Sequence, residues 1–404
     1  MPIDFNPHIF NYPYPQIMQQ RFFMQTQQTS DIFIKSSDQN YDGMKINKKS
    51  FGKIQKTQES ADLYTITNKN GAQVQISTFG ATIVSLKVPD KNGKLVDVVQ
   101  GYNNVTPYET SPVGHAGGTI GPYANKISNG TFNLNNIDYQ LECNKDNGKT
   151  HSHGGSEGLD LKNWQTTVLK DGLKFTYLKK DMENNYPGNV EISVTYKFDN
   201  NNKLHIQYKA RSDKDTILNL TNHSYFNLDG AENTKEGAVL NHNVELPNSS
   251  KITEVDAIGI PTGEFIHVKD TPFDFSSSKK LAEVIDSKHP QIVRAKGFDQ
   301  NYCVDNYDGK SMIDVAKINS DNTKISLTVS TNLPGFQLYT ANNLGKTTQP
   351  NGKHGSKYEK HSSICIEPQF YPNAINTESF KEKGILKAGE TFNKEIIYSF
   401  GLLE

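Results

Sequence analysis

The stretch that decides the fold is Val190-Glu191-Ile192-Ser193-Val194-Thr195-Tyr196-Lys197-Phe198-Asp199-Asn200-Asn201-Asn202-Lys203-Leu204-His205-Ile206-Gln207-Tyr208-Lys209-Ala210. Apolar and polar residues alternate in both halves, which is the period of a β-strand with one buried face. The four residues from Asp199 to Asn202 interrupt this alternation with side chains that favour turns. The stretch therefore predicts an antiparallel β-hairpin.

The same alternation recurs in other parts of the chain. It is visible at 74–76 and at 325–329, and Asn-Gly and Asp-Gly pairs punctuate the intervals. Helical periodicity is scarce, and the one short helix that we predict covers 281–285, with a cap among the serines 276–278. About 350 residues of this texture predict an all-β fold, a large antiparallel β-sandwich or barrel with a concave face or mouth for a ligand.

The composition limits the classes of partner. Lys and Arg number 43 against 44 Asp and Glu, so a formal net charge of -1 gives no general attraction to nucleic acid or to an anionic membrane. Three widely separated cysteines, Cys143, Cys303 and Cys365, lack metal-ligand spacing, and an odd number argues against a disulfide framework. No apolar run has the length of a membrane span. We therefore expect a cytoplasmic protein whose partner is a small, weakly polar molecule.

The first 48 residues differ from the rest of the chain. They are rich in Gln, Asn, Pro and Phe, and Pro13 and Pro15 would break a helix. They show neither strand alternation nor the basic start and uninterrupted apolar run of a signal peptide. We predict that residues 1–48 form a disordered or loosely docked extension and that residues 49–404 form one β-sandwich domain.

Two segments carry side chains suited to proton transfer. His223 lies among amide and aromatic residues in 221–228, and an imidazole with an ordinary pKa of about 6.5 can give and take protons near neutral pH. A histidine in such a setting is more often structural. Glu367, however, lies in the apolar segment 364–369, and burying a carboxylate without a partner is costly. The two residues together point to a functional site.

Further segments offer polar groups. His151 and His153 lie two residues apart before a Gly-Gly pair, so an extended segment would present both on one side. A zinc site there is the weaker interpretation, because no third ligand shows suitable spacing. Asp299 lies between aromatic residues, where a turn-capping role is the alternative, and Gln337 follows a strand among amides and aromatics. Such groups suit sugar hydroxyls, although separate surface clusters would have the same composition.

Taken in order, the motifs of this chain resemble one family, the aldose 1-epimerases or galactose mutarotases. The resemblance extends from about residue 51 to the C-terminus. Any one motif is weak, but seven in sequence with matching spacing are specific. They are the glycine-rich Ala-Asn segment 117–130, the His-Gly-Gly loop 153–155 with 158–160 and Trp164, the histidine motif 222–228, the loops 261–264 and 272–275, the acid motif 297–299, and Glu367 with Gln369, Pro372 and Asn376.

The resemblance implies a supersandwich of antiparallel strands and an isomerase that interconverts the anomers of free aldohexoses, glucose or galactose, without metal or cofactor. It implies that Glu367 is the base that takes the C1 hydroxyl proton and that His223 is the acid that protonates the ring oxygen. It also implies sugar contacts, which we assign to His153, Asp299, Asn125 and Gln337. We expect a monomer or homodimer with no nucleic-acid or membrane partner.

The chain departs from the family's usual residues at five positions. Pro122 and Lys126 stand where arginines are usual, and proline cannot donate a hydrogen bond. Gln300 replaces a common histidine, Pro368 removes a backbone donor and Asn373 replaces a more usual aspartate. These changes leave a second hypothesis open, a sugar-binding or regulatory relative without turnover. A phosphosugar epimerase is weaker, because phosphate recognition favours arginine clusters.

Overall fold

The structure is a computed structural model that describes residues 39–41, 43–110, 114–346 and 348–403. The described residues form 30 strands, two α-helices and six 3₁₀ helices. The strands are Gln39–Tyr41 (β1), Met44–Lys53 (β2), Ser60–Thr67 (β3), Gln73–Ser77 (β4), Thr82–Pro89 (β5), Leu95–Asp97 (β6), Val99–Gln100 (β7), Thr119–Ile120 (β8), Lys126–Ser128 (β9), Thr131–Leu134 (β10), Ile137–Gln140 (β11), Thr150–Ser152 (β12), Gln165–Leu169 (β13), Gly172–Lys179 (β14), Val190–Phe198 (β15), Lys203–Ser212 (β16), Thr216–Ile217 (β17), Thr221–Asn222 (β18), Tyr225–Phe226 (β19), Asn243–Glu245 (β20), Lys251–Val255 (β21), Pro261–His267 (β22), Lys279–Lys280 (β23), Asp299–Cys303 (β24), Ile313–Asn319 (β25), Ile325–Thr331 (β26), Gly335–Tyr339 (β27), Cys365–Gln369 (β28), Ile385–Leu386 (β29) and Thr391–Leu402 (β30). The α-helices are Thr106–Thr110 (α1) and Pro290–Ala295 (α2), and the 3₁₀ helices are Gly155–Glu157, Leu159–Leu161, Glu183–Asn185, Leu281–Glu283, Lys353–Gly355 and Ala374–Asn376.

The hairpin predicted from the deciding stretch is strands β15 and β16. They pair in antiparallel register with Val190 opposite Ser212, and every second residue of β15 is buried. In the turn, Asp199 Oδ1 accepts a hydrogen bond from the Lys203 N–H at 2.8 Å, and Asn202 takes a left-handed φ of 57° that asparagine tolerates. Each large apolar side chain on the inner face contributes on the order of 1.5–3 kcal/mol by leaving water. The pattern therefore builds a sheet with one buried face.

Three larger sheets organise the described residues, and their strand pairs are antiparallel. One has six strands in the order β1 to β6, and one has nine in the order β13-β14-β15-β16-β30-β26-β25-β20-β23. The third has five strands in the order β22-β21-β24-β27-β28. The remaining strands form the short pairs β10-β11, β12-β9, β17-β29, β18-β8 and β19-β7. This architecture confirms the predicted all-β class.

The sheets share one apolar core. Tyr64 of β3 meets Phe175 of β14 edge to face with ring centroids 6.5 Å apart, which joins the six- and nine-stranded sheets. Tyr196 of β15 donates a hydrogen bond from its hydroxyl to the Ala81 carbonyl at 2.7 Å. The five-stranded sheet joins the same core through Tyr398 of β30, whose hydroxyl lies 3.5 Å from a backbone carbonyl of β28. Packing between the sheets therefore fixes where the five-stranded sheet stands.

The sheet begins before the predicted domain boundary at residue 49. Strand β2 runs across that position from Met44 to Lys53, and its Ile46 lies opposite Gln39 of β1. Residues 1–38 of the predicted extension lie outside the described residues. The sandwich therefore already includes residues 39–41 and 44–48, which belong to its first two strands.

Helices among the described residues are few and short. The helix predicted at 281–285 is a single 3₁₀ turn, Leu281–Glu283. A serine does not cap it, since the Glu283 carboxylate accepts a hydrogen bond from the Lys280 N–H at 2.9 Å instead. Leu281 and Ile285 pack in the apolar core, so the predicted short helix is present, but it is shorter than 281–285 and has no serine cap. None of the described helices has the length and apolar character needed to cross a membrane.

Candidate active site

One face of the five-stranded sheet carries a group of polar side chains. Residues two apart in a strand share a face, and in antiparallel strands directly opposite residues share it too. Gln337 of β27 lies opposite both Glu367 of β28 and Asn301 of β24. The residues on this face are Asp299, Asn301, Gln337, Tyr339, Cys365, Glu367 and Gln369. Three of the six positions predicted as site residues, Asp299, Gln337 and Glu367, therefore share one surface.

Hydrogen bonds hold the amide side chains of this face in place. Gln337 Nε2 donates to Asp299 Oδ1 at 2.7 Å, and Gln369 Nε2 lies 3.4 Å from Gln337 Oε1. The amide of Gln337 is therefore fixed with its nitrogen toward Asp299. Asp299 is half-buried while Gln337 is buried, so the carboxylate lies at the accessible side of the pair.

His223 reaches this face from a different element, the turn between β18 and β19. The backbone N–H of His223 donates to the Gly118 carbonyl at 3.1 Å, and the backbone carbonyl of His223 accepts a hydrogen bond from the Gly117 N–H at 2.8 Å. Gly117 has φ 69°, and a Cβ there would lie 2.0 Å from the Ile83 carbonyl oxygen. A residue with a side chain cannot approach so closely, so the glycine-rich motif is what positions the histidine.

His223 and Glu367 meet in a buried pocket. The His223 Nε2 atom lies 3.5 Å from Glu367 Oε2, and the two side chains are only 7% and 2% exposed. Within the described part of the chain, neither His223 Nδ1 nor Glu367 Oε2 has a hydrogen-bond partner. Buried polar atoms without partners are uncommon in native proteins, and they are often found where a ligand binds.

Burial shifts the pKa values of both groups toward their neutral forms. Burial, with a smaller contribution from repulsion by His115, lowers the pKa of His223 to about 3. Burial also raises the pKa of Glu367 well above its ordinary value, with the charge of Asp299 adding to the effect. Both shifts favour a pair that shares a single proton, with that proton on Glu367. Moving that proton to His223 turns the carboxyl group into a base and the imidazole into an acid.

The His-Gly-Gly loop brings His153 next to His223, with ring centroids 5.6 Å apart. The Nδ1 atom of His153 accepts a hydrogen bond from the Asn125 N–H at 3.2 Å, and the Asn125 carbonyl accepts one from the His153 N–H at 3.0 Å. Burial lowers the pKa of His153 well below its ordinary value, so the neutral ring carries its proton on Nε2. Both predicted residues are therefore at the site, and Asn125 contributes its backbone to the position of His153.

His151 does not share this site with His153. Its Nδ1 donates to the Glu142 carbonyl at 2.7 Å, its Nε2 lies 2.6 Å from the Tyr186 hydroxyl, and the residue is buried. Both ring nitrogens are engaged in holding the fold. The zinc interpretation of the two histidines therefore loses its geometric basis.

One other group among the described residues has metal-ligand chemistry. His223, Cys365 and Glu367 present ligand atoms that lie within 4.8 Å of one another. Burial raises the pKa of the Cys365 thiol well above its ordinary value, and a thiol binds metal as the thiolate. The trio is thus the buried acid/base pair with a protonated thiol beside it, which is a poor set of ligands for a resident metal ion.

Several residues around the pair escaped the sequence analysis as site residues. The Tyr225 ring stacks on His223 at 5.0 Å, and the Tyr339 ring meets His223 edge to face at 6.3 Å. His115 stacks on His223, lies tilted against the His153 ring and pairs with Asp160. Strand alternation from Gln337 would have indicated Tyr339, whereas His115 lies in a loop and Asp160 in the short 3₁₀ helix Leu159–Leu161, and neither setting gives a periodic signal.

Three of the unusual residues have settings in the structure that account for them without a contact to the sugar. The Gln300 side chain is buried, and its Oε1 accepts a hydrogen bond from the Asp299 N–H at 2.8 Å. Pro368 lies in β28, an edge strand of its sheet, where a missing N–H is tolerated. Asn373 Oδ1 accepts a hydrogen bond from the Ser128 N–H at 3.0 Å. These departures support the fold around the site.

The two residues that replace the usual arginines also have structural partners. The Pro122 carbonyl accepts a hydrogen bond from the Asn219 N–H at 2.8 Å. Lys126 forms an ion pair with Asp146 at 2.8 Å. Neither has a contact with His223 or Glu367 in the described residues, so neither alters the acid/base pair directly.

The fold and the site define a β-sandwich protein with a buried histidine–carboxyl pair. The sequence profile of the aldose 1-epimerases matches residues 62–399. The galactose mutarotase of Sus scrofa is 36% identical over 331 residues, which are 82% of this chain and 91% of that protein. The aldose 1-epimerase of Haemophilus influenzae is 35% identical over 340 residues, which are 84% of this chain and 95% of that protein.

Solved structures agree with these relatives. The GalM/aldose epimerase homologue from C. elegans has a TM-score of 0.75 at 31% identity, covering 85% of this chain and 99% of that one. The galactose 1-epimerase from Lactobacillus acidophilus also has a TM-score of 0.75, at 26% identity, covering 89% of this chain and 100% of that one. The chain belongs to the aldose 1-epimerase family. It is accordingly an isomerase that interconverts the anomers of an aldose.

Proposed function

We propose that this enzyme interconverts the α and β anomers of free aldohexoses, glucose and galactose, with Glu367 as base and His223 as acid. The observation that carries the proposal is the 3.5 Å approach of His223 Nε2 to Glu367 Oε2 in a buried pocket. Opening a pyranose ring requires a proton to leave the C1 hydroxyl and another to reach the ring oxygen. Both oxygens are bonded to C1, so one close acid/base pair can serve both transfers.

The steps follow from the single proton of the pair. In the active form Glu367 is a carboxylate and His223 carries the proton. Glu367 takes the C1 hydroxyl proton, the bond between C1 and the ring oxygen breaks with its electrons going to that oxygen, and His223 protonates it. The aldehyde then rotates about C1–C2, and reclosure with the roles reversed gives the other anomer. Each positioned proton transfer contributes roughly 10²–10⁴-fold in rate.

The remaining predicted residues would hold the sugar. The Nε2–H of His153 can donate to a hydroxyl, and the Asp299 carboxylate, oriented by Gln337, can accept from one. Asn125 supports His153. The reaction conserves protons and electrons, so it needs no metal or cofactor. We further propose a cytoplasmic monomer or homodimer that has no nucleic-acid or membrane partner.

Polarimetry of freshly dissolved α-D-glucose and α-D-galactose tests the proposal. The optical rotation should reach equilibrium faster than in buffer, with a rate proportional to protein concentration. A decay no faster than that of buffer would contradict turnover and would favour the sugar-binding alternative. The same assay with α-D-glucose 6-phosphate distinguishes an epimerase of free sugars from a phosphosugar epimerase. We expect little acceleration with this phosphorylated substrate.

A further inference from the structure

A third histidine lies beside the acid/base pair. The His115 ring is stacked near that of His223, with centroids 6.1 Å apart and an interplanar angle of 25°, and it lies 4.7 Å from the His153 ring. The His115 carbonyl accepts a hydrogen bond from the N–H of Gly118, whose own carbonyl holds the His223 backbone. His115 is therefore attached to the same short backbone unit that positions the proposed acid.

A buried carboxylate orients the His115 ring. Its Nδ1 lies 2.7 Å from Asp160 Oδ2, and the Asp160 side chain is only 4% exposed. The other oxygen, Oδ1, has no hydrogen-bond partner in the described part of the chain. Because the carboxylate accepts, the hydrogen atom of the neutral ring is on Nδ1, and Nε2 is left for another partner. Burying a carboxylate with so little compensation is costly, which suggests that Asp160 serves the histidine.

His115 is more accessible than His223. Its side chain is 28% exposed, against 7% for His223. Nε2 acts as an acceptor in the neutral ring and as a donor in the protonated ring, and a sugar hydroxyl can satisfy either. The 6.1 Å spacing between the two rings is comparable to the breadth of a pyranose with its hydroxyls. This spacing would let a sugar with its anomeric carbon at His223 place a hydroxyl against His115.

We propose that His115 is an additional sugar-binding residue that hydrogen-bonds a hydroxyl of the aldose through Nε2, and that Asp160 is the residue that positions it. Since the ligand is the aldose of the proposed reaction, this assignment rests on the proposed function. It gives a role to a buried carboxylate that the acid/base chemistry does not use.

Equilibrium binding tests the assignment without turnover. Calorimetric titration with an equilibrated solution of D-galactose should give a Kd about tenfold higher for His115→Ala than for the parent, equivalent to about 1.4 kcal/mol. His115→Gln, whose side-chain amide can accept or donate a hydrogen bond where Nε2 does, should recover part of the loss. The matched control is His205→Ala, because His205 also pairs with a carboxylate, Glu395 at 2.9 Å, but lies on the large sheet. The control should bind like the parent.

Monodeoxy galactoses identify the hydroxyl. The analogue that lacks the contacted hydroxyl should bind the parent about tenfold more weakly than galactose, and it should bind His115→Ala no more weakly than galactose does. The contact would be overturned if the Kd of His115→Ala for galactose were within twofold of the parent value. It would also be overturned if, for every analogue, the ratio of the Kd for the analogue to the Kd for galactose were the same in both proteins.

Asp160→Asn separates positioning from a general effect on the fold. If Asp160 acts through the histidine, the change weakens binding in the parent and has no further effect in His115→Ala. An equal loss in both backgrounds would refute the positioning role. Should Asp160→Asn fail to fold, the His115 variants and the deoxy sugars still decide the contact. If the protein binds galactose in a way that depends on His115 but does not accelerate mutarotation, this site is supported and the proposed turnover is contradicted. If the parent protein binds no aldohexose, this site is overturned.

Discussion

Two histidine–carboxyl pairs occupy opposite settings in this molecule. His205 and Glu395 lie on the large sheet at 2.9 Å, with side chains 33% and 28% exposed. His223 and Glu367 are farther apart, at 3.5 Å, but only 7% and 2% exposed. Water screens the first pair, so its shorter contact adds little to stability or reactivity. Burial shifts the pKa values of the second pair and leaves two of its polar atoms without hydrogen-bond partners in the described residues. The comparison is why we propose the desolvated pair, rather than the closer one, as the reactive pair.

The strongest test of this contrast is to remove one carboxyl from each pair. Glu367→Gln should lower kcat by roughly 10²–10⁴-fold, because an amide cannot accept the C1 hydroxyl proton. Glu395→Gln should leave kcat unchanged. Both are measured by polarimetry with α-D-galactose, and urea unfolding should show Glu367→Gln to be no less stable than the parent at neutral pH, since burial already disfavours the carboxylate. Normal turnover by Glu367→Gln would show that the assigned base is wrong.

Asp299 offers a second way to alter the buried pair. Asp299→Asn removes a proposed acceptor for sugar hydroxyls, so KM should rise about tenfold. It also removes a negative charge that raises the pKa of Glu367, so that pKa should fall. The active pair holds one proton and is inactivated when it loses that proton at high pH. A lower pKa of Glu367 should therefore move the basic limb of the kcat/KM profile to lower pH. A pH profile with an unshifted basic limb would show that Asp299 does not influence the base.

The pH dependence of the parent enzyme tests the burial of His223 itself. With the pKa of His223 lowered to about 3, the pair gains its second, inactivating proton only well below the ordinary histidine value. The acid limb of kcat/KM, after subtraction of the buffer reaction, should therefore lie far below pH 6.5. Fluorescence of the buried Trp164 monitors the fold over the same range. An acid limb near pH 6.5 with the fold intact would mean that the imidazole is solvated.

The large sheet also buries polar groups, but for structure. Tyr196 donates its hydrogen bond to the Ala81 carbonyl inside the core. Tyr196→Phe leaves that carbonyl without its partner and should lower the free energy of unfolding by about 1 kcal/mol, with kcat and KM unchanged. Urea unfolding and polarimetry measure the two effects. A large loss of activity at unchanged stability would place Tyr196 in the catalytic machinery. It would contradict the idea that buried polar groups of the large sheet serve structure and those of the five-stranded sheet serve catalysis.

The smallest expected effect is that of a chelator. Since the proposed chemistry moves only protons, dialysis against EDTA should leave kcat/KM unchanged. Loss of activity that returns on adding a divalent cation would mean that His223, Cys365 and Glu367 hold a metal in the working enzyme.

Local pattern predicted much of the fold. Alternation indicated β15, β16 and β26, because one buried face imposes a period of two on neighbouring residues. At 281–285 the pattern predicted a short helix, and the structure has a helix there that is only the single 3₁₀ turn Leu281–Glu283. The strand that crosses residue 49 gave no clear signal, because β2 buries only Ile46 and Phe51 and its alternation is therefore weak.

For the site, motif order named His223, Glu367, His153 and Asp299 as candidates, and the structure places them together. The order of the motifs could not show which histidines lie close together in the fold. His151 and His153 are nearly adjacent in sequence but serve different purposes, because the left-handed φ of 54° at His153 turns the chain between them. His115 lies far from Asp160 in sequence, and only the packing of a loop against the 3₁₀ helix Leu159–Leu161 makes them partners.

The sequence by itself determined the strands, their turns and the chemical types of the acid and the base. These depend on neighbouring residues, and neighbours are read directly from the order of the chain. Only the tertiary structure decided that His223 and Glu367 are 3.5 Å apart and shielded from water. Their distance and pKa values depend on how the sheets pack and exclude solvent, and that is a property of the whole molecule rather than of any segment.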